Sequence, residues 1–219
     1  ALPNEHPAGL EVIEVEQALS SLQLWVAGGI LRDEEAVAVY PRKQAALIAR
    51  YMTEALAKAA PDEDVTFNVR GYTDVMLSIA KTREWTTGRV FYREGKVNLI
   101  IGEYGKQLDK AKKNVEGAFG IIDDFRDVHF QMGSRRSKGK MPGRIVTTEG
   151  VELHQNGKIR PDWVVLDIEK AALAFRESQI PAAVRTEGLK AKVAAAKLTL
   201  ERRDMRQEMA RMRKEIKDM

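Results

Sequence analysis

WTTGRVFYREGKVNLIIGEY, residues 85–104, reads as a β-hairpin, and the rest of the fold is built out from it. Val90, Tyr92, Val97, Leu99 and Ile101 are the alternate apolar or aromatic positions of two short runs, with Arg93-Glu94-Gly95-Lys96 between them as a polar turn. Gly95 suits a positive φ at no steric cost, so a two-residue Glu-Gly loop, or one slightly longer, closes the pair. Upstream, Val65, Phe67 and Val69 alternate as a strand expected beside this hairpin. Between them, residues 72–84 carry Val75, Met76 and Ile79 in a weakly helical arrangement that equally suits a long loop.

Towards the N-terminus, Pro41 suits the first turn of a helix. Over residues 42–60, Leu47, Ile48, Tyr51, Met52, Ala55, Leu56 and Ala59 recur at helical spacing and predict the core helix. Before it, residues 15–22 suit a short helix. Leu22, Leu24 and Val26, then Val37 and Val39, suit two strands of a second hairpin. Residues 1–9, with two prolines and a glycine, read as an irregular lead-in. On the C-terminal side, Phe119, Ile121, Ile122 and Phe125 suit a short amphipathic helix, and residues 128–132 a strand. A last hairpin is expected from 145–153 and 163–168 around Gln155-Asn156-Gly157-Lys158, followed by a helix holding Ala172, Leu173 and Phe175.

Beyond Pro181 the composition turns to Ala, Lys, Arg, Glu and Met, which predicts one long helix over 181–219. Met205, Met209, Met212, Ile216 and Met219 step by four and three, a heptad seam; Leu189, Val193, Ala196 and Leu200 have the same steps but lie out of frame with it. Such a seam implies self-association, packing back on the body, or docking on a partner helix, and its methionines suit an adaptable surface. A basic amphipathic helix on a membrane is a weaker reading, because the polar face mixes acids with bases. Residues 185–219 hold eleven Lys and Arg against six Asp and Glu, so the net charge of +4 belongs to the tail.

Hydrophobic residues at 44% and charged residues at 31% are globular values and exclude wholesale disorder. The absence of cysteine excludes disulfides, thiol catalysis and thiolate zinc sites. His6, His129 and His154 are too far apart in sequence for a local metal motif, so neither a metal nor another cofactor is expected. No apolar run of membrane-spanning length exists. The chain starts at Ala1, which fits a cleaved export signal or a trimmed chain.

Arg135, Arg136, Lys138, Lys140 and Arg144 cluster in residues 133–144, GSRRSKGKMPGR, with no acid among them. Five cations suit the phosphates of nucleic acid or lipid headgroups, whereas the ordinary reading is a solvated, mobile loop. A nucleotide P-loop is excluded: the spacing from Gly133 to Gly139-Lys140 is one residue too long, and Met141 stands where Ser or Thr should be. Asp74, Asp123, Asp124, Asp127, Asp162 and Asp167, with Arg160, provide carboxylates for acid–base chemistry, but no spacing demands it. Asp162 is expected to start the strand before a buried Trp163.

The segments PDEDVTFNV (61–69), TTGRVFYREGKVNLIIGE (86–103) and RPDWVVLDI (160–168) resemble exported proteins and lipoproteins of Gram-negative bacteria that have no assigned activity. The resemblance covers about half the chain and implies no functional residue. A lipoprotein anchor needs an N-terminal cysteine, where this chain has Ala1.

The expectation is an α+β domain over 10–180, an antiparallel sheet of hairpins with one packed amphipathic helix, followed by a long C-terminal helix. The expected function is non-enzymatic: a periplasmic or outer-membrane-associated binding or structural protein. It would bind itself or another protein through Leu189, Val193, Leu200, Met205, Met209, Met212 and Ile216. The alternative is nucleic-acid binding through the 133–144 cations and the tail, with a cytoplasmic location if no signal sequence exists.

Overall fold

The computed structural model describes residues 3–26, 35–74, 81–107 and 129–180, and in the tail positions 197, 198, 202, 203, 205, 206 and 209. Its elements are α1 (Val12–Ser21), β1 (Gln23–Val26), β2 (Glu35–Ala38), α2 (Arg42–Leu56), β3 (Val65–Asp74), β4 (Lys81–Arg93) and β5 (Lys96–Ile101). After these come β6 (Lys106–Gln107), β7 (Gly143–Ile145), β8 (Val151–Asn156), β9 (Lys158–Leu166) and α3 (Ile168–Gln179). Two compact units result, Ala1–Arg176 and Glu177–Met219.

The first unit is α+β and antiparallel throughout its sheets. The opening hairpin forms as its alternation requires: Val90 pairs with Leu99 and Tyr92 with Val97. Glu94 and Gly95 close it in two residues, both at positive φ (55° and 68°), the combination that matches the twist of the flanking strands. β3 pairs with β4 along its whole length, and β9 pairs with β5, giving the order β3-β4-β5-β9-β8 with β6 against β4. β1 and β2 form the second expected hairpin, and β7 joins β1 to complete a three-stranded sheet of order β2-β1-β7.

Four expectations need correction. Residues 72–84 are neither helix nor loop where described, because β3 and β4 run through to Asp74 and from Lys81. Long pairing with a neighbouring strand overrides weak local periodicity. The core helix ends at Leu56, four residues early, and its buried face is Ala45, Ile48, Ala49, Met52, Thr53 and Leu56. Leu47 and Tyr51 remain half exposed, since that face is rotated relative to the run of large apolar residues. Residues 129–134 form no strand. Asp162 lies inside β9 and does not start it. The short helix expected near 119–125 falls outside the described residues. So does most of the expected C-terminal helix; the described tail positions are helical, and Leu198, Met205 and Met209 among them are exposed.

The main core gathers α1, α2 and the inner sheet face, with Leu19, Leu56, Leu99, Ile101, Val164 and Leu166 all shielded from solvent. Each such side chain contributes roughly 1.5–3 kcal/mol on burial. β5 is buried on its other side too, where Ile100 meets Phe91 and Trp163 in a second apolar cluster. That outer face carries the candidate site.

The irregular N-terminal residues are tied to the body. Asn4 N–H donates to Pro61 O, Glu5 N–H to Tyr92 O and Ala8 N–H to Leu56 O. His6 Nε2 accepts from the Tyr92 amide at 2.9 Å, while its Nδ1 lies 3.2 Å from Ala60 O. Those two partners fit a neutral ring carrying its proton on Nδ1.

Candidate anion-binding face

Residues 129–144 cross the outer face of β5 as a strap, not as a free loop. Side chains from the strands hold its backbone at close intervals. Lys106 Nζ donates to His129 O, Thr87 Oγ1 to Gln131 O and Arg89 Nε to Gly133 O. Gly102 permits the approach: a Cβ there would run into Gln131 O and the Gly133 amide.

Arg160 and Asp162 fasten the middle of the strap. Asp162 is fully shielded from solvent, and Arg160 donates to it through Nε (2.8 Å) and Nη2 (2.7 Å). The same Nη2 donates to Ser134 O and Ser137 O, both at 2.9 Å, and Asp162 Oδ2 accepts the Gly139 amide at 2.7 Å. Burial alone pushes the Asp162 carboxyl up, but the Arg160 guanidinium and backbone amides outweigh it and hold the group below its ordinary range. The expectation of a solvated, mobile loop is therefore overturned: buried charge requires fixed partners, and the strap supplies them.

The five expected anion-binding residues are not equivalent. Arg135 is committed elsewhere, donating to Asp64 and to Asn4 Oδ1, with its guanidinium 3.5 Å from the Phe91 ring centre. Burial raises the Asp64 carboxyl, but donors from Arg89, Asn4 and Arg135 outweigh it, and the net shift is downward. Arg136, Lys138 and Lys140 are exposed on the strap. Arg144 is exposed on β7, paired across from Trp25 on β1.

Between the strap and the β8–β9 turn lies a cavity of about 590 Å³. It is lined by Arg135 and Arg136 from the strap, Asn156, Lys158 and Arg160 from β8 and β9, and Arg93, Glu94 and Lys96 from the β4–β5 hairpin. Asn98, His154, Trp163 and Val165 also line it. Trp163 is held on three sides: Phe91 meets it edge-on at 5.7 Å, His154 stacks on it at 3.8 Å and 15°, and its indole N–H donates to Asn98 Oδ1 at 3.0 Å. Burial, then the nearby Arg160 charge, lowers the His154 pKa from its ordinary value. A second cavity of about 1010 Å³ adjoins the first through Glu94, Lys96, His154 and Val165 and extends to Trp25 and Arg144.

The remaining expected residues do not assemble a reaction centre. Asp167 is engaged with Lys170, accepting its amide at the start of α3 and its ammonium at 2.8 Å. Asp123, Asp124 and Asp127 lie outside the described residues, as does the Asp74 side chain. Among the described residues no group of His, Asp and Glu could hold a metal ion, and no helix is long and apolar enough to cross a membrane. Of the tail residues assigned to partner binding, Met205 and Met209 are described, and Leu189, Val193, Leu200, Met212 and Ile216 are not.

Sequence reasoning missed Asn98, His154, Lys158 and the fastening role of Arg160. One signal was available: Arg160 and Asp162 stand two apart in a strand and so share a face. The others come together only through strand order. Comparison with family models, with curated proteins and with solved structures yields no match to any of them.

Proposed function

We propose that the protein is a binding protein without catalytic activity, whose outer sheet face takes an anionic partner. One observation carries this reading: a strap pinned by buried side chains holds Arg136, Lys138 and Lys140 to solvent, and Arg136 also lines a cavity that has six cations and one carboxylate in its wall. A cation whose backbone is already held by the fold loses less freedom on binding than one on a floppy loop. In the same reading residues 181–219 bind a second copy or another protein, with the heptad positions as the contact seam. The envelope location is proposed from the resemblance of the middle segments to exported proteins.

Retention of the full chain on a heparin column tests the face. Lys138→Ala/Lys140→Ala should elute at clearly lower salt than the parent. If that variant elutes unchanged, while a chain ending at Gln179 is no longer retained, the tail carries the charge effect and the face reading fails.

Nucleic-acid binding is the second reading, favoured by the exposed strap cations together with the basic tail. Phe91 and Trp163 are 1% and 8% exposed, so neither ring is open to stack with bases at this cavity, where contact would be to phosphates. A gel shift with random RNA that weakens steeply between about 50 and 200 mM salt, and is lost with the strap cations, would favour it.

A further inference from the structure

We infer that the cavity between the strap and the β8–β9 turn is a binding site for a small organic phosphate. The inference rests on the anion-binding reading above and gives it a position and a ligand class. A volume of about 590 Å³ lies within the roughly 300–1,000 Å³ typical of small-molecule sites.

The cations around the cavity divide into three kinds. Arg135 and Arg160 are neutralised by Asp64 and Asp162 and serve as walls. Arg93 and Lys96 are loosely held: each reaches its carboxylate at 3.3 Å, and those partners, Glu94 and Glu152, are 78% and 65% exposed. Exposed bridges of this kind contribute little and exchange readily for a better anion. Arg136 and Lys158 have no ion pair among the described residues. Both line the cavity, one from the strap and one from the β8–β9 turn. An oxyanion with two charges and several acceptor oxygens can use them together, with the guanidinium of Arg136 binding in two-point fashion.

The lining suits an organic group as well as the anion. Asn98 is 7% exposed; its oxygen is taken by Trp163, and among the described residues its Nδ2 reaches Lys96 O alone, at 3.4 Å. That bond is long, which leaves the amide a donor for a ligand oxygen. His154, held flat on Trp163, and the half-buried Val165 provide a ring and an apolar side chain beside it. A polynucleotide fits less well, because the large rings beneath are already covered.

Calorimetric titration of the full chain with inorganic phosphate and with phenyl phosphate, at constant ionic strength, tests the site. Phenyl phosphate should bind about tenfold more tightly than inorganic phosphate, because its ring buries apolar area. Arg136→Ala/Lys158→Ala should weaken phenyl phosphate about tenfold or more. Lys138→Ala/Lys140→Ala should leave it unchanged while still lowering the salt needed for elution from heparin. Both pairs are exposed, and an unaltered circular dichroism spectrum verifies the fold. Heparin retention without phenyl phosphate binding at millimolar concentration overturns this inference and leaves the anion-binding reading standing. Equal weakening by the two double variants also overturns it, since diffuse surface charge would then account for binding. Loss of both heparin retention and phosphate binding removes both readings.

Discussion

Arg160 and Asp162 stand two apart on β9, and an extended strand points both to the same side. There the carboxylate is fully buried and the guanidinium carries strap carbonyls as well as the carboxylate. Removing the arginine leaves a buried charge whose remaining partner in the strap is the Gly139 amide. Breaking a buried pair in this way costs about 3–5 kcal/mol, more than a typical surface change. Arg160→Ala is therefore expected to lose about that much stability in urea unfolding. A loss under about 1 kcal/mol would mean that the pair does not fasten the strap.

Pairing along the strands decides the elements. The alternation in residues 85–104 made the hairpin legible, and Gly95 made its turn legible. Asn98 and Ile100 lie outside that alternate set, yet both are buried, because the second face of β5 is covered. A strap of polar residues looks like a loop in sequence, since its anchors are backbone carbonyls that no side-chain pattern reports. Gly102 is where this packing is tightest. Gly102→Ala should cost about 1–3 kcal/mol, as overpacking does, and should speed proteolysis within 129–144. Unchanged stability and unchanged cleavage would show that the strap can lift without cost.

Across the whole molecule, two measurements separate the body from the tail. Asp64, Asp162 and Asp167 all have carboxyls held below the ordinary value of 3.8 by hydrogen-bonded cations or amides. A depressed folded value gives stability that is present above the unfolded pKa and lost as pH falls through the folded one. The urea midpoint should thus stay level from pH 7 to about 5 and drop progressively below it. A midpoint that holds at pH 3 would contradict the pairing seen here. For the tail, light scattering should give a larger assembly for the full chain than for a chain ending at Gln179. Equal, monomeric masses would eliminate self-association through the heptad positions.

Local pattern determined the elements whose signal is short-ranged: the 85–104 hairpin, the start of α2 after Pro41, the turn at Gly157 and the basic, Met-rich composition of the tail. The strap cations were legible in the sequence, but tertiary structure alone decided what they are assembled with. Asn4, Asp64, Arg135 and Phe91 meet across more than a hundred residues, and His154 reaches Trp163 only because β8 folds back on β9. The physical reason is the same in each case: alternation reports which residues share a face of one strand, while strand order determines which faces meet.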